Sequence, residues 1–261
     1  MWFEGNMTPT SIISDRVNRS FSLFVTNLGN MFVDNGYYYN QIDKWSINTA
    51  SNNSIMFVTE SCYGVFLDIN NTFYCSLRLL HQVVSKSLDD ISNALKGVAG
   101  TGCSGSTSDM LSTPTGIFID IDLDLYVADS QNDRIQLFSR GQLNAITIAG
   151  NGLSGTTTLA YPTGVVLDGD GHLFIVDRGN SRIVGPGSFG FECLIGCSGS
   201  GSTPHQLSSP FTMAFDAYGN IFVTDTFNNR IQKFTLKTGL CSKYCNHSNV
   251  YFLRVSMTDK A

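Results

Sequence analysis

The stretch that decides the fold runs from Pro114 to Phe138 and reads PTGIFIDIDLDLYVADSQNDRIQLF. The same phrase begins again at Pro162 and at Pro210, each time 48 residues further along the chain. Four polar residues coincide in every copy, and they are Asp120, Asp129, Asn132 and Arg134, then Asp168, Asp177, Asn180 and Arg182, then Asp216, Asp225, Asn228 and Arg230. Self-similarity at a period of roughly 20 to 50 residues is typical of a repeat architecture.

Each copy contains four short strands separated by polar turns. In the first copy the predicted strands are Gly116 to Asp120, Leu125 to Ala128, Ile135 to Phe138 and Ala145 to Ala149. The turns between them are rich in Asp, Asn and Gly, which favour tight reversals of the chain. Each repeat is therefore predicted to form one small antiparallel sheet.

The second strand of the later copies is apolar at successive positions rather than at alternate ones. Leu173 to Val176 and Ile221 to Val223 show this pattern, which indicates that both faces of the sheet are covered. A ring of four-stranded sheets around an axis covers both faces of every sheet. The sequence thus predicts an all-β fold, a β-propeller of four-stranded antiparallel blades.

The repeated pattern, Pro-x-Gly followed by three apolar residues and Asp, then a turn, a second apolar strand ending in Asp, and Asn-x-Arg-Ile, resembles the NHL repeat. The resemblance is strong over residues 100–234 and weaker over 22–99. It implies a propeller of the six-bladed type that binds partners.

The chain is predicted to be a single propeller over residues 1–261. Residues 1–21 match the tail end of a truncated blade, 22–234 hold five repeats, and 235–261 hold a degenerate C-terminal strand and tail. The expected ring is incomplete, with about five blades plus two outer strands between Met1 and Ile13. Such a ring is open, closes with five blades, or is completed by sequence outside this chain.

Charge argues against a nucleic-acid partner. Only 14% of the residues are charged and the net charge is −5, whereas nucleic-acid affinity comes from clustered Lys and Arg. No apolar run is long enough to cross a bilayer. We expect a monomer without a membrane span.

No catalytic, cofactor or metal site is predicted. The pairs Asp129 and Arg134, Asp177 and Arg182, and Asp225 and Arg230 recur once per blade, so we interpret them as structural residues that brace a turn through charge-assisted hydrogen bonds. The run Asp120-x-Asp122-x-Asp124 lacks the Gly and Glu of a calcium loop. The Gly-rich connectors are not followed by Gly-Lys-Ser or Gly-Lys-Thr, which a phosphate-binding loop requires.

The histidines do not predict a zinc site. Amidating lyases with an NHL-type propeller hold zinc through channel histidines, but none of His81, His172, His205 and His247 falls on a predicted innermost strand.

Of the seven cysteines, Cys193 with Cys197 and Cys241 with Cys245 are candidates for disulfides. Cys62 and Cys75 are expected to lie about 13 Å apart in a regular hairpin, too far for a bridge.

Possible N-glycosylation sites suggest secretion, and they are Asn6, Asn18, Asn52, Asn70 and Asn246. The segment from Met1 to Gly5 lacks the pattern of a signal peptide. We therefore expect an extracellular protein, or otherwise a cytoplasmic one.

Aromatic residues suggest where a partner binds. Phe118, Phe174, Phe215 and Phe222 lie in predicted strands and should pack between blades, whereas Tyr37, Tyr38 and Tyr39 lie in a turn and should be partly exposed. The leading hypothesis is a non-catalytic scaffold that binds a protein or glycan. The alternatives are a substrate-recognition module related to NHL-type ubiquitin ligases and, less favoured, a zinc enzyme like the peptidyl-amidating lyases.

Overall fold

A computed structural model describes residues 20–26, 29–46, 52–92, 94–151, 153, 156–187, 190–236 and 252–255. These residues form five four-stranded antiparallel sheets, and in each sheet the strands follow one another in chain order. We call the sheets blades one to five. None of the described helices is long and apolar enough to cross a bilayer.

The strands of blades one to three are β1 (Leu23–Val25), β2 (Asn30–Asp34), β3 (Gln41–Ser46), β4 (Asn52–Phe57), β5 (Cys62–Leu67), β6 (Thr72–Leu77), β7 (Gln82–Ser87), β8 (Lys96–Ala99), β9 (Pro114–Ile119), β10 (Leu125–Asp129), β11 (Arg134–Phe138) and β12 (Ile146–Gly150). Those of blades four and five are β13 (Pro162–Leu167), β14 (Leu173–Asp177), β15 (Arg182–Gly187), β16 (Gly190–Ile195), β17 (Pro210–Phe215), β18 (Ile221–Asp225), β19 (Arg230–Leu236) and β20 (Phe252–Val255). A four-residue helix, α1 (Gly36–Tyr39), joins β2 to β3, and short 3-10 turns at Ser130–Asn132 and Thr226–Asn228 occupy the same place in blades three and five.

An aspartate closes the first turn of blades two to five. In blade three, Asp120 Oδ1 accepts the backbone N–H groups of Asp122 and Asp124 at 3.0 and 2.9 Å. The equivalent carboxylates accept the same two turn amides, and they are Asp68, Asp168 and Asp216. The need for a side-chain acceptor in this tight turn accounts for the recurrence of the residue.

Neighbouring blades pack through their innermost strands and an apolar cluster. A Cβ atom on Gly116 would stand 2.5 Å from the carbonyl oxygen of Thr163 in the next blade, so glycine is needed for this close approach. Phe66 and Phe118 meet edge to face at 4.9 Å between blades two and three, as Phe174 and Phe215 do at 5.0 Å between blades four and five. The predicted all-β propeller is confirmed.

The described stack of blades has two ends. Apolar clusters join blade one to two, two to three, three to four and four to five. No such cluster joins blade five to blade one within the described ranges. The structure has five blades, and the six-bladed type expected from the resemblance is not supported. The outer strands expected between Met1 and Ile13 lie outside the described residues.

The expectation that Cys62 and Cys75 are too far apart was wrong, because they form a disulfide with a Cα–Cα distance of 5.2 Å. Val65 is opposite Cys75, as in a regular hairpin, but a bulge between Cys62 and Val65 shifts the register. Cys62 consequently pairs with Leu77 and becomes a diagonal neighbour of Cys75. A bulge adds a residue to one strand and shortens its span along the partner.

The second disulfide joins Cys193 and Cys197, whose Cα atoms are 5.8 Å apart. Gly196 has a φ of 79°, and this turn after β16 brings Cys197 back toward Cys193. The other candidate pair, Cys241 and Cys245, lies outside the described residues. Cys103 is a free, exposed cysteine in the segment between blades two and three.

Candidate functional site

The two faces of the propeller carry different loops. One face holds the turn between the second and third strand of each blade together with the segments that link blades, and we call it the connector face. The opposite face holds the first and third turns of each blade, and we call it the hairpin face.

On the connector face, blades three to five contain the same polar cluster. In blade three, Asp129 is fully buried and its Oδ2 accepts Arg134 Nε at 2.7 Å and Asn132 Nδ2 at 2.8 Å. Its Oδ1 accepts the backbone N–H of Ser112 at 2.6 Å. Burial raises the pKa of the Asp129 carboxyl, although the bonds from Ser112, Asn132 and Arg134 act in the opposite direction.

The arginine of the cluster holds the segment that precedes its blade. Arg134 donates to the carbonyl oxygens of Ser106, Thr107 and Met110 at 2.8 to 3.1 Å. The pairs Asp177 and Arg182, and Asp225 and Arg230, repeat the 2.7 Å ion pair and also bind their own connectors. These bonds hold each connector against its blade. The Asp and Arg side chains therefore have a structural role.

A second group of side chains lies at the centre of the connector face and, unlike the Asp and Arg cluster, is absent from blade three. We call it the Arg–aromatic ladder, and its members are Phe21, Tyr63, Arg78, Tyr161, Arg178 and Phe211. The rings of Phe21 and Tyr63 stack with centroids 4.4 Å apart, and the Arg78 guanidinium lies 5.1 Å from the Tyr63 ring. The Arg178 guanidinium lies 5.9 Å from the Tyr161 ring and 5.8 Å from the Phe211 ring.

One contact makes the ladder continuous from blade two to blade four. Arg78 Nη2, from blade two, donates to the hydroxyl of Tyr161 at 2.8 Å, and Tyr161 directly precedes the first strand of blade four. Blade three lies between them and carries small residues at the equivalent places, Thr113 and Ser130. The Ser130 hydroxyl is buried and bonds to the carbonyl of Pro162 at 2.7 Å, so it leaves room for Arg78 to pass.

The two arginines of the ladder are held in place by different partners. Burial tends to lower the pKa of Arg78, but its hydrogen bonds with Tyr161 and Tyr63 outweigh burial and raise the pKa overall, so the guanidinium stays charged. Arg178 Nε donates to Ser209 Oγ at 2.7 Å. Guanidinium groups stacked on aromatic rings are pre-organised for recognition.

A cavity of about 350 Å³ opens beside Arg178. Aromatic rings and hydroxyl groups line it, and the lining residues are Tyr161, Arg178, Gly179, Ser181, Ser200, Ser208, Ser209 and Phe227. Phe227 is 68% exposed. The arrangement offers one cation, several hydroxyl groups and apolar ring surface to a ligand.

Other predicted sites lie apart from the ladder. Tyr37, Tyr38 and Tyr39 form α1 on the connector face of blade one, and each is about half exposed. Asn70 is exposed in the first turn of blade two on the hairpin face, and Asn52 begins β4. Asn6, Asn18 and Asn246 lie outside the described residues.

The described histidines do not converge on the channel. His81 Nδ1 accepts the backbone N–H of Thr113 at 3.1 Å on the connector face, and His205 is exposed in a connector. His172 lies on the hairpin face, where it groups with Asp168 and Asp170 within 4.8 Å. The same turn forms in blade five without histidine, so turn geometry explains this group. His247 lies outside the described residues.

Comparisons with known proteins agree with the fold. The family model of the NHL repeat matches residues 159–185, and a search of curated proteins finds no significant match. Among solved structures, the nidogen/laminin complex matches with a TM-score of 0.64 at 19% identity, covering 82% of this chain and 74% of the other.

Two lyase structures share the architecture as well. A streptogramin B lyase has a TM-score of 0.56 at 17% identity, covering 84% of this chain and 70% of the other. The virginiamycin B lyase from Staphylococcus aureus, an inactive variant with quinupristin, has a TM-score of 0.61 at 12% identity. The match covers 94% of this chain and 73% of the other. At these identities the likeness establishes the fold alone.

Proposed function

Since the chain is an NHL-repeat β-propeller protein, we propose that it is a non-catalytic recognition module that binds a protein partner on its connector face. The observation that carries the proposal is the hydrogen bond from Arg78 to Tyr161, which joins the aromatic and arginine side chains of distant blades into one surface. Tyr and Arg are over-represented among residues that dominate binding energy at protein interfaces.

The rest of the connector face supports this role. The recurring Asp and Arg residues form ion pairs and hydrogen bonds within the scaffold. They thereby fix the connectors on which the ladder lies. One of the solved structures with a similar fold is the nidogen/laminin complex, which is a protein assembly. Tyr37, Tyr38 and Tyr39 extend the same face with further exposed aromatic surface.

An extracellular location fits the two disulfides, Cys62–Cys75 and Cys193–Cys197, because such bonds persist in oxidising compartments. The zinc-lyase alternative gains no support from the histidines, which lie on both faces of the described propeller. A ubiquitin-ligase module would instead recognise intracellular proteins, so the compartment of the partner separates these two readings.

The test is a binding screen of the whole chain against arrays that hold extracellular and intracellular proteins. We expect saturable partners among the extracellular proteins, and we expect Tyr161→Ala to weaken them about tenfold or more, because it removes the residue that joins both arginines. Tyr218→Ala is the matched control, since Tyr218 is 84% exposed in a turn of the hairpin face. Equal binding by the two variants, or turnover of a substrate by the purified chain, would refute the proposal.

A further inference from the structure

Arg178 differs from the other described arginines of the connector face in how its guanidinium is used. Its Nε is fixed by Ser209 Oγ at 2.7 Å, and its plane lies near the rings of Tyr161 and Phe211. Neither terminal amino group, Nη1 or Nη2, forms a hydrogen bond with a described residue. Arg134, by contrast, gives both terminal amino groups to backbone carbonyls.

The cavity beside Arg178 lacks an acidic lining residue. Its polar lining consists of serine and tyrosine hydroxyls, and its apolar lining comes from Phe227 and Tyr161. A partly buried guanidinium favours an anionic partner, and the planar fork of two N–H donors matches the two oxygens of a carboxylate.

We infer that this cavity binds the carboxylate of an acidic residue in an extended segment of the protein partner. The inference rests on the proposed recognition role and adds the chemistry of the ligand. A carboxylate fits better than a phosphate, since a single open guanidinium carries one positive charge. The exposed ring of Phe227 and the ring of Tyr161 give an apolar residue beside the acid a surface to pack on.

The test uses blocked tripeptides as probes of the whole chain. Acetyl-Phe-Glu-Phe-amide and acetyl-Phe-Gln-Phe-amide have nearly the same shape but differ in charge, and their binding can be followed by NMR titration. We expect the Glu peptide to bind roughly 10- to 100-fold more tightly than the Gln peptide, as two charge-assisted hydrogen bonds require. The preference should shrink as salt is added.

Variants of Arg178 test whether the preference for the Glu peptide depends on its guanidinium. Arg178→Gln should abolish the preference for the Glu peptide, and Arg178→Lys should keep only part of it, because lysine retains the charge without the fork. Arg140→Gln is the matched control, as Arg140 is an exposed arginine on the hairpin face, and it should leave the preference unchanged.

Three outcomes of the peptide titrations would overturn the inference. They are equal affinity for the two peptides, a preference that survives in Arg178→Gln, and no saturable binding up to the solubility limit of the peptides. Inorganic phosphate and sulfate serve as competitors, and tighter binding of either ion than of the Glu peptide would also overturn the carboxylate assignment. A partner from the array that depends on Tyr161 but not on Arg178 would leave the recognition role standing while this inference falls.

Discussion

Blades four and five have nearly the same sequence pattern, but one pair of equivalent faces differs in burial. It is the face of each blade on the side opposite to the preceding blade. On blade four this face packs on blade five, and Phe174, Val176 and Ile183 are buried in the shared cluster. The equivalent residues of blade five are Phe222, Thr224 and Ile231, and Ile231 is 58% exposed. The same repeat position is thus core in one blade and surface in the next.

The substitutions on blade five follow a physical logic. Thr212 stands where blades two to four have Gly64, Gly116 and Gly164, and at the first two of these a Cβ atom would clash with a backbone carbonyl of the next blade. Lys233 replaces Gly185 and places its ammonium 5.3 Å from the centre of the Phe222 ring. With Thr224 in place of Val176 and Lys233 in place of Gly185, this face of blade five is more polar than the equivalent face of blade four.

The largest difference between the two blades is expected when the same isoleucine is truncated in each. Ile183→Ala should lower the free energy of unfolding by about 2–5 kcal/mol, because it leaves a cavity in a fully buried cluster. Ile231→Ala should change it by less than about 0.5 kcal/mol, as expected for a surface position. Urea unfolding of the two variants measures the difference.

The result bears directly on the shape of the stack. If both substitutions cost the same, the outer face of blade five is covered in solution. A difference close to the expected one would show that this face of blade five is exposed to solvent in this chain.

A smaller effect is expected from exchanging valine and threonine between the faces. Val176→Thr puts a hydroxyl into the apolar cluster between blades four and five and should cost about 1–3 kcal/mol. Thr224→Val removes a hydroxyl that accepts the Thr212 N–H at 2.9 Å and donates to its carbonyl at 3.2 Å. Its cost should be about 1 kcal/mol or less. A larger cost for Thr224→Val than for Val176→Thr would contradict the assigned faces.

The sequence predicted the propeller and its blades because the residues that make turns and cores recur with a fixed period. The Asp and Arg residues stood out for the same reason, although their bonds to the preceding connector could not be inferred from spacing. Phe222 was expected to pack between blades like Phe174, and local pattern could not distinguish them. What differs is the neighbouring blade, which is a property of the whole stack.

The ladder was missed because a search for recurring residues passes over departures from the repeat. Arg78 and Arg178 share a position that holds Ser130 in blade three and Thr226 in blade five, and Tyr161 falls where blade three has Thr113. Large side chains at such positions are the signal that could have identified the site. The Cys62–Cys75 bridge was missed because a bulge changes the register without leaving a mark in the spacing of the cysteines.

The smallest effect concerns blades one and five and the dependence of their stability on pH. Burial raises the pKa of Asp34 in blade one above 3.8, outweighing the backbone N–H bonds from Cys62, Phe21 and Gly36. The folded protein therefore binds this proton more tightly than the unfolded chain does. The stability that Asp34 contributes is complete below pH 3.8 and is lost as the pH rises through the raised pKa.

Asp216 in blade five should behave in the opposite way. Burial acts to raise its pKa, but the hydrogen bonds from Asn220 and Tyr218 prevail and lower the pKa below 3.8. Its contribution is therefore present above that value and lost as the pH falls. We expect the stability of the wild type relative to Asp34→Asn to decrease with rising pH, and relative to Asp216→Asn to increase, when urea unfolding is followed by circular dichroism across this range. If the stability relative to Asp34→Asn instead increases with pH, the Asp34 carboxylate is hydrated in solution, and if the stability relative to Asp216→Asn decreases, the hydrogen bonds to Asp216 do not form there.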